Sequence, residues 1–191
     1  MLTQALVFLF ETFFGLFSVA LLVRFYLQVA RAPARNQISQ FVVALTDFAV
    51  RPARRVIPGV AGLDLTTLLL SWLVELLLLV IVMTLKGYPF SAEIGLAGIG
   101  LALLAVLNVF RMSLYILIGA LIVQSVLSWT SAQSPLAPVF NSLVRPFLKP
   151  LQRRIPPIGN VDLSPLILVI GCQLILMVPV RWLEGVLGSL L

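Results

Sequence analysis

The sequence predicts an all-α polytopic membrane protein with about four transmembrane helices, built as two parallel repeats of span, basic amphipathic loop and span. Three observations predict it. First, 61% of the 191 residues are hydrophobic and only 10% charged, with a mean hydropathy of +1.12. A soluble domain carries about 25% charged residues, so a water-soluble fold, a disordered chain and a disulfide scaffold are all excluded. Second, the apolar residues gather in runs long enough to cross a bilayer. Third, the 13 Lys and Arg are not spread evenly against the 7 Asp and Glu.

The runs cover residues 3–30, 65–85, 94–129 and 163–183. About 20 helical residues cross a hydrocarbon core of ~30 Å. The second and fourth runs fit one crossing, and the first has residues to spare. The first has no positive leader, and Glu11 interrupts its apolar stretch, so it reads as a retained span rather than a cleaved signal. The third is too long for one straight crossing. It is either kinked or over-long, or it is two elements broken near Asn108–Arg111.

Charge chooses among these. Residues 31–63 hold Arg31, Arg35, Arg51, Arg54 and Arg55 against Asp47, and residues 131–161 hold Arg145, Lys149, Arg153 and Arg154 with no acid. The rest of the chain is net negative, so the whole excess of +6 lies in two loops. The positive-inside rule puts both on the cytoplasmic side. Four crossings allow that, and five do not. Residues 92–107 are then an extension, a kinked half or a re-entrant piece.

The two loops are copies. At a shift of 98 residues, Arg51-Pro52-Ala53-Arg54-Arg55-Val56-Ile57-Pro58 lies over Lys149-Pro150-Leu151-Gln152-Arg153-Arg154-Ile155-Pro156, and Asp64-Leu65 lies over Asp162-Leu163. The repeats fall at 1–90 and 91–191. Two spans per repeat return the chain to its starting side, so the repeats are parallel, as the charges require.

Two copies of a basic [RK]P-x-x-R-x-IP element ahead of Asp-Leu and an apolar span resemble the YggT/YlmG family over essentially the whole chain. The second copy departs from the first at Gln152, which replaces Arg54, and at Pro135, which replaces Gln37. The resemblance implies a small bacterial membrane protein with plastid relatives. It also implies roles in division or nucleoid placement, in osmotic or potassium tolerance, or in cytochrome assembly.

Ahead of each motif, Ile38, Phe41, Val42, Leu45 and Phe48, and then Val139, Phe140, Leu143 and Phe147, follow helical spacing, with Asn36 as a cap. Such a helix beside a basic cluster belongs in the interface, with its arginines among lipid phosphates. The candidate lipid- or partner-binding residues are therefore Arg51, Arg54, Arg55, Arg145, Lys149, Arg153 and Arg154. Pro52, Pro58, Pro150 and Pro156 bracket the clusters and are expected to hold each in a fixed turn. Asp64 and Asp162 stand before the apolar runs as helix caps, with pairing to Arg55 or Arg153 as the competing role.

Glu11, Glu75 and Arg111 lie in the hydrocarbon, where an ionisable group needs a partner. A Glu11–Arg111 or Glu75–Arg111 pair is the expected latch, while Arg24 sits near a span end and is expected to snorkel. Gly95, Gly98, Ala102 and Ala105 form a small-residue stripe suited to close helix packing, within the chain or in a homo-oligomer.

The chain has no His, and its one thiol, Cys172, sits in an apolar run. No nucleophile, phosphate-binding or metalloprotease motif is present, so no enzyme activity, cofactor or metal is expected. The function expected is a non-enzymatic membrane adaptor or assembly factor. It docks anionic lipid, or an acidic membrane or cytoplasmic protein, and not nucleic acid. The alternative is a small ion-handling protein centred on Glu11, Glu75 and Arg111.

Overall fold

A computed structural model describes residues 1–33, 36–56, 64–87, 94–130, 134–154 and 162–189. Their regular elements are all helical: α1 (Leu2–Val29), α2 (Gln37–Val56), α3 (Leu65–Leu85), α4 (Ile94–Thr130), α5 (Ala137–Gln152), α6 (Ser164–Ile175) and α7 (Arg181–Gly188). A π-helical turn, Leu176–Val180, joins α6 to α7. Pro179 lies in that turn and has no N–H to donate, which is where a helix widens rather than ends.

Four helices are long and apolar enough to cross a membrane: Leu2–Val29, Leu65–Leu85, Gly98–Ser128 and the continuous Ser164–Gly188. The chain is a multi-pass membrane protein. Phe8, Phe13, Leu16 and Trp182 stay exposed on the outside of the bundle, as lipid-facing side chains should.

The long third run is one unbroken helix of 37 residues, about 55 Å at 1.5 Å per residue. No break occurs at Asn108–Arg111. That stretch has neither Gly nor Pro, and Arg111 meets a carboxylate from another helix, so nothing forces the backbone out of its hydrogen-bond ladder. Of the small-residue stripe, Ala105 is fully buried and the Ala102 carbonyl accepts the Trp72 indole N–H at 3.1 Å, which brings α4 close to α3. Gly98 faces open space, so the stripe is only partly used.

In each repeat a span packs on the span that follows it: α1 on α3, and α4 on α6 and α7. The α3–α4 contact joins the repeats. The amphipathic helices lie over the bundle, α2 on α1 and α3, and α5 on α4 and α6. Residues of α1 (Tyr26, Val29) and α5 (Leu143, Phe147) line one common cavity, so both interfacial helices sit at the same end. Equivalent positions do equivalent work. Thr46 and Val50 of α2, and Val144 and Leu148 of α5, point into the protein at the same places in the repeat.

The basic clusters are not turns. Pro52 lies inside α2, and Pro146 and Pro150 lie inside α5, so Arg51, Arg54, Arg55, Arg145 and Lys149 are carried on helix. Arg153 and Arg154 follow in the closing turn. Pro52 and Pro150 are exposed, so the carbonyls they leave unpaired face outward, where the loss is tolerated. Pro58 and Pro156 lie outside the described residues.

Asp64 does not cap α3 with its side chain. Its buried carboxylate takes the Arg54 guanidinium instead, and neither Arg55 nor Arg153. The physical reason is reach: Arg54 is on the last turn of α2 and faces back to the start of α3. In the second repeat the same two positions bond again. Gln152 Nε2 donates to Asp162 Oδ2 at 2.7 Å, while Asp162 Oδ1 accepts the Ser164 N–H at 2.9 Å and so does hold a helix start. The Arg-to-Gln difference between the copies therefore preserves one latch, charged in the first repeat and singly charged in the second.

This gives a testable contrast. Arg54→Gln keeps a donor on Asp64 but not the charge that this buried carboxylate meets, whereas Asp162 is exposed, so it is expected to destabilise less than Arg54→Leu. Arg54→Leu strands a buried carboxylate and is expected to cost about 1–3 kcal/mol. Chemical unfolding of the two variants in detergent checks the order.

Candidate functional site

Two regions carry the polar chemistry, at opposite ends of the bundle. The first is the end bearing α2 and α5. Asn36 Oδ1 accepts the Ser39 N–H at 2.7 Å and so starts α2 as its capping residue. The helix then divides its apolar residues between two faces. Val42, Thr46 and Val50 are buried, while Phe41 and Phe48 stay about 70% exposed. Phe147 of α5 is exposed in the same way.

What holds α2 down is an ion pair. Arg24, near the end of α1, is buried and does not snorkel. Its guanidinium donates to Thr46 Oγ1 at 2.8 Å and to Asp47 Oδ1 at 3.0 Å. Arg51 meets the other Asp47 oxygen at 2.7 Å. Desolvation pushes the Asp47 carboxyl up. The Arg24 hydrogen bond and charge, and then those of Arg51, outweigh that and hold it below its usual 3.8. At the matching places in the second repeat stand Ile122 and Arg145, so no such pair forms there. Gln124 bonds Asn141 at 2.7 Å instead, over an apolar cluster of Ala120, Leu121, Val144 and Leu148.

The predicted basic residues thus divide. Arg51 and Arg54 are committed to Asp47 and Asp64. Arg55, Arg145, Lys149, Arg153 and Arg154 are exposed and have no acidic partner among the described residues. A cleft of about 330 Å³ between α1 and α2 is lined by Arg24, Arg31, Arg54, Gln28 and Ser39. Arg31 adopts φ = 49°, a left-handed conformation that costs a non-glycine residue roughly 1–2 kcal/mol. Beside α5, an apolar cavity of about 300 Å³ lies between Tyr26, Val29, Phe110, Leu117, Leu143 and Phe147.

The second region is a polar cavity of about 540 Å³ at the other end, among α1, α3, α4 and α7. It brings together all three predicted intramembrane groups, Glu11, Glu75 and Arg111, and adds Lys86, Asn108 and Glu184. The pairing differs from expectation. Arg111 Nη1 meets Glu184 Oε1 at 2.6 Å, and it makes no ion pair with Glu11 or Glu75. The last span places Glu184 within reach of Arg111, a charge-assisted bond that links α4 to α7. Glu75, halfway along α3, is 1% exposed. A charge at that depth costs on the order of 3 kcal/mol on membrane-insertion scales.

Sequence reasoning missed Asp47 and Thr46 as the partners of Arg24, and Glu184 as the partner of Arg111. Only the matching need of two intramembrane arginines for acids hinted at them.

A family model described as CCB3/YggT matches this chain twice, over residues 3–85 and 103–183. The chain belongs to the CCB3/YggT family. The two matched segments coincide with the two copies of span, interfacial helix and span, as the doubled basic motif implied. This CCB3/YggT protein is 35% identical over 170 residues to an uncharacterised protein of Vibrio alginolyticus, covering 87% of this chain and 88% of the relative. It is 34% identical over 191 residues to an uncharacterised protein of Pseudomonas aeruginosa, covering 98% and 94%. It is 33% identical over 168 residues to the uncharacterised protein YggT of Escherichia coli, covering 87% and 85%. No solved structure matches it.

The Asp47 geometry has a pH consequence. A carboxyl lowered by folding contributes stability that is complete above its unfolded value and is lost as pH falls through the folded one. Docking of α2 is therefore expected to be constant across the neutral range and to weaken only below the usual carboxylate range. Hydrogen exchange of residues 37–56 checks this. Asp47→Asn is expected to show at neutral pH the raised exchange that the natural protein shows only in acid.

Proposed function

We propose that this protein is a non-enzymatic membrane adaptor or assembly factor whose α2 and α5 form one docking surface for anionic lipid headgroups. The observation that carries this reading is the pairing, on the same two helices, of exposed phenylalanines with cations that no acid among the described residues neutralises. Phe41, Phe48 and Phe147 suit the acyl boundary, and Arg55, Arg145, Lys149, Arg153 and Arg154 suit the phosphates above it. Each such cation contributes about 1 kcal/mol near an anionic leaflet. In the cleft between α1 and α2, where Arg24 and Arg54 are paired with Asp47 and Asp64, Arg31 adds a further cation, and the apolar cavity beside α5 supports an acyl chain. The basic end faces the cytoplasm in this reading, since both excesses of Lys and Arg lie there.

The experiment is native mass spectrometry of the protein released from nanodiscs of mixed phosphatidylglycerol and phosphatidylcholine. Neutralising Arg55 and Arg153 together (Arg55→Gln with Arg153→Gln) is expected to reduce retained phosphatidylglycerol by about 10- to 30-fold, at ~1 kcal/mol per cation, and to leave insertion intact. Equal retention by the double variant would sink the proposal.

A further inference from the structure

The polar cavity has no part in that docking surface, and it contains a group that the bundle leaves unserved. Glu75 stands midway along α3, about 15 Å from either end. Its Oε1 is buried and takes no hydrogen bond of normal geometry among the described residues, and what stands beside the carboxylate are two neutral donors, the Ser18 hydroxyl and the Asn108 carboxamide. A buried polar group is almost always paired in a folded protein. The cation that was expected to serve Glu75, Arg111, is held by Glu184. The charged groups around the cavity are Glu11 from α1, Lys86 from α3, Arg111 from α4 and Glu184 from α7, with the Asn108 carboxamide among them. Glu11, Lys86 and Glu184 stand towards the end of the bundle opposite α2 and α5, so the cavity leads from that end down to Glu75.

We infer that Glu75 is a binding site for a monovalent positive charge, a proton or an alkali cation, which reaches it through this cavity from the end opposite α2 and α5. A buried carboxylate with neutral donors beside it and no ion pair needs a positive partner in so apolar a place. The partner is small and singly charged, for two reasons. The oxygens at hand are those of Glu75, Ser18 and Asn108, fewer than the six to eight that Ca²⁺ takes. Leu78, Leu79, Val82 and Leu104 on the walls offer nothing to a hydrated divalent ion. If the occupant is a proton, it bonds to a Glu75 oxygen. On leaving it passes to water in the cavity, and no electron moves.

Carbodiimide labelling tests this directly, because the reagent adds to a protonated carboxyl in an apolar site and not to a carboxylate. The full protein in detergent is treated with dicyclohexylcarbodiimide across the neutral pH range, and the Glu75 peptide is read by mass spectrometry, with Glu75→Gln as the control. Labelling that falls severalfold as pH rises, and is indifferent to Na⁺ and K⁺, identifies the proton. Labelling suppressed by Na⁺ or K⁺ at fixed pH, and not by choline chloride, identifies the alkali cation. No labelling at any pH, or equal labelling at every pH and salt, shows a fixed structural carboxyl and overturns the inference. The route is checked separately with Leu79→Cys in a Cys172→Ala background and a membrane-impermeant thiol reagent on sealed vesicles. Modification is expected only from the face opposite α2 and α5. Its absence from both faces, or its appearance from the α2 face, overturns the route.

Discussion

A guanidinium brought into hydrocarbon has to find a carboxylate, and in this protein that constraint sets where the helices stand. Arg24 is buried near the end of α1, and Thr46 and Asp47 of α2 close around it. The interfacial helix is thereby tied to the bundle in one rotation, with Val42 and Val50 turned inward and Phe41 and Phe48 turned out. Arg111 does the corresponding work in the opposite half of the bundle, binding α7 to α4 through Glu184. A buried ion pair is poor evidence of stability, because desolvation offsets most of its attraction. What such pairs do here is choose one arrangement among helices whose apolar surfaces would pack in many ways.

The two repeats meet the same requirements with different chemistry. The first docks its interfacial helix by the Arg24–Asp47 pair, and the second by apolar packing of Leu121, Val144 and Leu148 with a Gln124–Asn141 hydrogen bond. The first closes its loop with Arg54 on Asp64, and the second with Gln152 on Asp162. The exchange leaves the helices unequal. The first commits Arg51 and Arg54 to protein acids. The second keeps Arg145, Lys149, Arg153 and Arg154 without acidic partners among the described residues. A duplicated element has become one half anchor and one half open cationic surface.

Helix α4 is one of the elements common to both polar regions. Unbroken over 37 residues, it carries Asn108 and Arg111 in the cavity and Ala120 and Leu121 beneath α5. Glu75 sits between the two ends on α3, buried beside the neutral Ser18 and Asn108 and without an ion pair among the described residues. The protein thus has an exposed cationic surface at one end and a cavity of mixed charge at the other.

Much of this is legible in the chain alone. The four spans follow from run length, because a bilayer demands about 20 apolar residues per crossing. The parallel repeat follows from the 98-residue shift of the Pro-x-x-Arg-x-Ile-Pro motif, and the amphipathic helices from the spacing of Ile38 to Phe48 and Val139 to Phe147. These are local properties, set by period and composition. The partners of Arg24, Arg111 and Asp64 are not local. They lie 23, 73 and 10 residues away, and several acids could have met each cation. Which acid does so depends on helix rotation and reach, and so does whether Pro52 and Pro150 end a helix or ride within it. By itself the sequence determined that charges enter the membrane and must be matched. Only the tertiary structure decided which are matched, and that Glu75 is left without an ion pair, because that choice rests on contacts between helices far apart in the chain.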